Sequence, residues 1–124
     1  MKVQEPKKTM IIGASANSTR YSYLVANKLV RKGYEIVNVG RGEGKVGGVP
    51  IEGMDKTYDD IHTITIYVSP SNQPIYEDYI LKTNPKRIIF NPGAENESLS
   101  EKAKQKGIET IDACTLVMLN TGQF

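Results

Sequence analysis

Thr9-Met10-Ile11-Ile12-Gly13-Ala14-Ser15-Ala16-Asn17-Ser18-Thr19-Arg20-Tyr21 is the stretch that decides the fold. Thr9 to Ile12 is a short apolar run that stops at a glycine, the pattern of a strand buried on both faces. Tyr21, Leu24, Val25 and Leu29 then recur at helical spacing, and Gly33 follows as a C-terminal stop. A buried strand, a loop of small residues and an amphipathic helix together make the opening of a βαβ unit.

The same alternation continues outward from it. Strands are expected at Glu35 to Val39, Thr63 to Val68, Arg87 to Asn91 and Ile108 to Ile111. Helices are expected from about Asn72 to Thr83, with Pro74 in the first turn and Pro85 beyond the end, and from a Ser98/Glu101 capping box to Gly107. Cys114 to Leu119 reads as a short closing helix, and Asp55, Asp59 and Asp60 as decoration of another, capped by Thr57. Six glycines between positions 40 and 53 mark a mobile or tightly turning loop. Strands separated by helices of this length form right-handed crossovers and a parallel sheet. The expected fold is therefore α/β: one doubly wound, mainly parallel, Rossmann-like sheet with helices on both faces, in a single domain over 1–124 with a flexible start at 1–7.

Composition narrows the function. Hydrophobic residues at 39% and charged residues at 24% describe a chain able to build a core. Sixteen basic against fourteen acidic residues leave a net charge of +2, too small and too scattered to point to nucleic acid or a membrane surface. One cysteine, Cys114, and one histidine, His62, leave no disulfide framework and no zinc site of the usual Cys/His kind. No apolar run approaches the ~18 residues of a membrane span, and residues 1–8 lack the apolar core of a signal peptide. A reduced, cytoplasmic protein is expected. Its oligomeric state is open, and a homo-oligomer is compatible with the sequence.

A doubly wound sheet holds its ligand outside the carboxyl ends of its strands, where strand order reverses. In the loop after the first strand, Gly13, Ala14, Ser15, Ala16, Asn17 and Ser18 are small enough for close backbone approach, and the helix that follows directs unpaired N–H groups toward an anion. Arg20 adds a guanidinium suited to a phosphate. The dinucleotide pattern G-x-G-x-x-G is met only at Gly13, since Ser15 and Ser18 stand at the other glycine positions. The plainer reading is that Ser18 or Thr19 caps the helix. After the second strand, where an NAD domain carries an acidic residue for its ribose, this chain has Gly40-Arg41 with Lys45 nearby. A cation there suits a ribose bearing an extra phosphate, as in NADP or coenzyme A, or it simply faces water. Ser69 and Pro70, and Asn91, Pro92 and Gly93, end the next strands with hydroxyl, amide and backbone groups suited to hydrogen bonding or to turns.

No nucleophile stands beside a base, and no carboxylate pair faces one crevice. His62 precedes the third strand, at the wrong end of the sheet. Cys114 reads as a small buried apolar residue more than as a reactive thiol.

Ile11-Ile12-Gly13-Ala14-Ser15, Arg20-Tyr21-Ser22-Tyr23-Leu24-Val25 and Gly33-Tyr34-Glu35-Ile36-Val37 together resemble the small stand-alone CoA-binding-domain proteins. These are similar to the N-terminal domain of the succinyl-CoA synthetase alpha subunit. The likeness runs from about Lys8 to Leu119 and takes in Ile66-Tyr67-Val68, Gly93 with Asn96-Glu97, and Asp112-x-Cys114. It implies a Rossmann-like fold, a coenzyme A ligand and a pyrophosphate loop at Ser15 to Ser18. It places Arg41 where the synthetase family uses a lysine on the CoA phosphates, and Asn91-Pro92 where the synthetase has a threonine and glutamate. The stand-alone proteins usually carry Asn-Pro where this chain has Gly40-Arg41. The synthetase's phosphohistidine belongs to a further domain with no counterpart in this sequence, so ligase activity is not implied. The expectation is a module for coenzyme A or an acyl-CoA without catalysis of its own. An NADP-dependent oxidoreductase and an interaction protein with a vestigial crevice stand as alternatives.

Overall fold

A computed structural model describes residues 6–124. Seven strands form one sheet in the order β3-β4-β2-β1-β5-β6-β7. They are β1 (Thr9–Ile12), β2 (Ile36–Val39), β3 (Lys45–Val46), β4 (Val49–Glu52), β5 (Thr63–Ile66), β6 (Arg87–Phe90) and β7 (Glu109–Asp112). Three helices lie between strands, α1 (Tyr21–Arg31), α2 (Pro74–Thr83) and α3 (Glu97–Gln105), and α4 (Thr115–Asn120) follows β7. Every pair is parallel except β3–β4. In register, Ile12 lies between Val39 on β2 and Ile66 on β5.

The central strands are buried on both faces, which is why they read as unbroken apolar runs. On one face Met10, Ile12, Ile64, Ile66 and Phe90 pack under Tyr76, Tyr79 and Ile80 of α2 and Leu99 and Ala103 of α3. On the other, Ile11, Ile36 and Ile89 meet Val25, Ala26 and Leu29 of α1 and Met118 and Leu119 of α4. The sheet is therefore doubly wound, as the alternation of elements predicts. Tyr21 and Leu24 depart from the expected apolar face of α1: both are exposed.

Several local expectations are corrected. The glycine-rich stretch 40–53 is not a plain loop but contains the β3–β4 hairpin. Gly47 and Gly48 form its two-residue turn with φ of +62° and +78°, the left-handed pair that a tight hairpin requires. Buried Asn38 holds the hairpin down by donating from Nδ2 to the carbonyls of Val46 and Val49, both at 3.1 Å. The Asp55–Asp60 region is extended and turning, not helical. Asp60 instead pairs with Lys8 at 3.1 Å, and the Tyr58 hydroxyl donates to Glu52. Helix α3 is capped by Asn96, whose Oδ1 accepts from Leu99 N at 3.1 Å, two residues earlier than the Ser98/Glu101 box would have it. Neither Ser18 nor Thr19 caps α1, because Arg20 occupies the cap position and supplies no side-chain bond. The expected flexible start lies largely outside the described residues. Lys7, within them, donates from Nζ to the Phe124 carbonyl at 2.7 Å.

At the amino ends of the strands, the Phe124 ring is held edge-on by Tyr34, with centroids 5.2 Å apart, and lies 4.4 Å from the Arg87 guanidinium. His62 is at this same end, hydrogen-bonded through Nδ1 to Thr63 Oγ1 at 2.7 Å. The carboxyl ends are organised by polar groups. Gly13 N and Ala14 N both donate to the Val39 carbonyl, at 2.9 and 3.0 Å. Asn91 donates from Nδ2 to Thr65 Oγ1 at 2.7 Å and to the Ile66 carbonyl at 3.0 Å, while its Oδ1 accepts from Thr115 N at 2.9 Å. Thr65 and Thr115 hydroxyls meet at 2.8 Å. This buried network ties β5, the end of β6 and the start of α4 together.

Three substitutions test these anchors. A methyl group on Gly40 would sit 2.4 Å from the Ala14 carbonyl oxygen, whereas one on Gly42 meets nothing within 4 Å. Gly40→Ala is expected to lower stability in urea unfolding by about 1–3 kcal/mol, and Gly42→Ala by far less. Asn91→Ala leaves the buried Thr115 N–H without its acceptor and should cost about 2 kcal/mol or more. Equal midpoints for Gly40→Ala and Gly42→Ala, or an unchanged midpoint for Asn91→Ala, would contradict the packing described.

Candidate functional site

The chain runs outward from β1 through β2 to β4, then returns to the other side of β1 for β5, β6 and β7. Strand order therefore reverses between β1 and β5, and a ligand crevice is expected above their carboxyl ends. A cavity of about 650 Å³ opens there. Such a volume falls within the usual range for small-molecule sites, roughly 300–1,000 Å³.

Its floor begins at Gly13, whose φ of +91° turns the chain off β1. A side chain here would also come 2.9 Å from Val68 Cγ1, so the close approach of the two strand ends requires glycine. The loop that follows is partly braced by its own side chains. Ser15 Oγ accepts from Asn17 N at 3.1 Å, and Asn17 Oδ1 accepts from Thr19 N at 3.0 Å and Thr19 Oγ1 at 2.7 Å. The N–H groups of Ser15, Ala16, Ser18, Tyr21 and Ser22 donate to no protein atom. Three belong to the loop and two to the first turn of α1, so the positive end of an eleven-residue helix adds to them. The Arg20 side chain lies on the cavity wall, exposed and free of any ion pair.

The opposite wall comes from the loops after β5 and β6. Tyr67, Val68, Ser69 and Asn72 supply one part, and Pro92, Gly93 and Ala94 the other. Gln73, fully buried, holds the two parts together. Its Nε2 donates to the Val68 carbonyl at 3.0 Å and the Ala94 carbonyl at 2.7 Å, and its Oε1 accepts from Asn96 Nδ2 at 2.8 Å. Gly93 N donates to Glu95 Oε1 at 2.8 Å. Burial pushes the Tyr67 phenol well above its ordinary range, so the group stays protonated.

Of the residues singled out in the sequence, Gly13, Ser15, Arg20, Ser69, Pro92 and Gly93 line this cavity. Ala14 lies buried beneath it, and Ala16, Asn17 and Ser18 are exposed on the loop above. Pro70 starts a single 3-10 turn that carries Asn72 to the wall. Asn91 differs most from expectation. Both its amide hydrogens are used inside the protein and its carbonyl oxygen accepts from Thr115 N, so its side chain, 3% exposed, serves the interior first. Arg41 lies outside the cavity wall, exposed and unpaired, on a loop whose Gly44 packs against Ala16. Tyr21, Ser22, Tyr67 and Val68 also line the cavity and Gln73 braces it, roles that strand-end spacing does not point to. For Gln73 the sequence does hold a signal, an amide directly before Pro74 at a helix start.

Cys114 is half-buried just ahead of α4, with its carbonyl accepting from Met118 N at 3.0 Å. Among the described residues, no three His, Cys, Asp or Glu side chains are placed to share a metal ion, and no helix is long and apolar enough to cross a membrane.

Comparison with known proteins agrees with this geometry. A crystal structure of an uncharacterized protein is 45% identical and superposes with a TM-score of 0.94, covering 98% of this chain and 100% of its own. A hypothetical protein from Pyrococcus horikoshii OT3 shares the fold at 21% identity and a TM-score of 0.81, covering 98% of each chain. Cell-free ID.343 from Thermus thermophilus does so at 18% identity and a TM-score of 0.82, covering 96% of this chain and 91% of its own. No curated protein matches the chain. Residues 7–120 match the family described as CoA binding domain, and over that nearly complete span the chain belongs to it.

Proposed function

We propose that this protein binds coenzyme A or an acyl-CoA across the β1–β5 crevice and acts as a binding module. The observation that carries the proposal is the set of unpaired N–H groups from Ser15 to Ser22 at the point where strand order reverses, in a chain of the CoA-binding family. A diphosphate answers those donors and the Arg20 guanidinium together. The adenosine half then extends over β2, where Arg41 has no protein partner and is available to a phosphorylated ribose. The pantetheine arm extends the other way, over the loops after β5 and β6, whose hydroxyl, amide and apolar groups suit its amides and methylenes. The cavity wall holds one guanidinium, several hydroxyls, the exposed Tyr21 phenol and the Tyr67 phenol kept protonated by burial, a set suited to holding a ligand more than to moving protons.

Thermal unfolding with coenzyme A, NADP, NAD and AMP tests the reading. Coenzyme A at ~100 times its dissociation constant should add about 2.7 kcal/mol, a rise of several degrees for a chain of this size. A rise with NADP but none with coenzyme A would favour an oxidoreductase cofactor instead. No rise with any nucleotide would favour an interaction protein with a vestigial crevice. Arg41→Ala should weaken coenzyme A by about tenfold, or ~1.4 kcal/mol, while 3′-dephospho-CoA changes little. Equal losses for the two ligands, measured by titration calorimetry, would separate Arg41 from the ribose phosphate.

A further inference from the structure

The two sides of the crevice differ in charge. If the diphosphate lies at the start of α1 and the adenosine over β2, the thiol end of the ligand reaches the loops after β5 and β6. This step rests on the coenzyme A reading above. Neither loop, 67–73 or 91–96, contains a lysine or arginine. The wall they build is neutral: Tyr67, Val68, Ser69, Asn72, Gly93 and Ala94. The charge at this end is negative. Glu95 holds its carboxylate 2.8 Å from the amide nitrogen of the wall residue Gly93, and it has no basic partner. Arg20, the cation of the wall, is likewise unpaired and so is not neutralising Glu95 through an ion pair.

We infer that the site discriminates among acyl-CoA ligands by charge, accepting free coenzyme A and short neutral acyl thioesters while rejecting those whose acyl group ends in a carboxylate. A carboxyacyl group would bring a second anion toward Gly93, against whose N–H the Glu95 carboxylate stands, on a part of the wall whose loops carry no lysine or arginine. Like charges brought together with partial loss of water are a standard means of excluding a competitor. Glu95 thereby acts as a specificity residue, and its bond to Gly93 N–H fixes where its charge stands. A neutral acetyl or butyryl group meets no such opposition.

Calorimetric titration of the full chain with coenzyme A, acetyl-CoA, butyryl-CoA, malonyl-CoA and succinyl-CoA tests this, read as affinity ratios within each variant. In the wild type, malonyl- and succinyl-CoA should bind about tenfold more weakly than acetyl- and butyryl-CoA. Glu95→Gln should shrink that ratio to about threefold or less, and Glu95→Lys should reverse it. Glu95 is exposed, so all three proteins are expected to fold, and circular dichroism checks that they do. Succinyl-CoA binding as tightly as acetyl-CoA in the wild type would overturn this inference alone. A ratio unmoved by Glu95→Gln and Glu95→Lys would do the same. Absence of binding by coenzyme A itself would overturn both this inference and the reading beneath it.

Discussion

The carbonyl of Val39 accepts two hydrogen bonds, from Gly13 N and Ala14 N, and the position of the whole crevice follows from that pair. They fold the chain leaving β1 toward the end of β2 instead of letting it continue along the strand axis. Gly40, which follows Val39, has no side chain, so the Ala14 carbonyl can lie against its α-carbon. The loop that begins α1 is consequently clamped between two strand ends, and its tip is braced further by the Ser15 and Asn17 side chains. Preorganised donors of this kind spend little free energy on ordering when an anion arrives.

The other wall is built with amides instead of charges. Gln73 and Asn91 are both buried, and each donates both amide hydrogens and accepts one bond to tie separate segments together. Gln73 couples the loop after β5 to the loop after β6, and Asn91 couples β5 to the start of α4. A buried amide whose nitrogen and oxygen are both hydrogen-bonded rigidifies its surroundings without introducing a charge that must be neutralised. The crevice therefore has a cationic, donor-rich side over β1 and β2 and a neutral to acidic side over β5 and β6. A ligand with an anionic half and an uncharged half complements such a gradient.

The sequence makes much of this legible because parallel strands buried on both faces leave a strong signal. Ile11-Ile12, the Thr63 to Ile66 run and Ile88-Ile89-Phe90 all appear as strands, and their ends mark the crevice. Where reading falls short, a short-range signal was outweighed or a side chain turned inward. Val46-Gly47-Gly48-Val49 carries a hairpin signature, yet the density of glycine around it suggests only a loop, and Asn38 that anchors it lies several residues away in sequence. Asn91 sits after a strand end as a ligand-binding amide would, but its side chain points into the protein, a matter decided by Thr65 and Thr115 far along the chain. Ser98 and Glu101 have capping spacing, and Asn96 takes the role because its backbone is already extended at the true helix start. Sequence spacing identifies which residues follow each strand; it does not say which of them turn toward the crevice.

The claim on which everything else rests is that the idle backbone donors between Ser15 and Ser22 receive the diphosphate of the ligand. Amide-resolved NMR titration with coenzyme A reads those donors directly. The account predicts that the largest amide shifts fall at Ser15, Ala16, Ser18, Tyr21 and Ser22, with smaller ones around Val68 and Gly93. Saturable shifts confined to other elements, with these five amides unmoved, would contradict it.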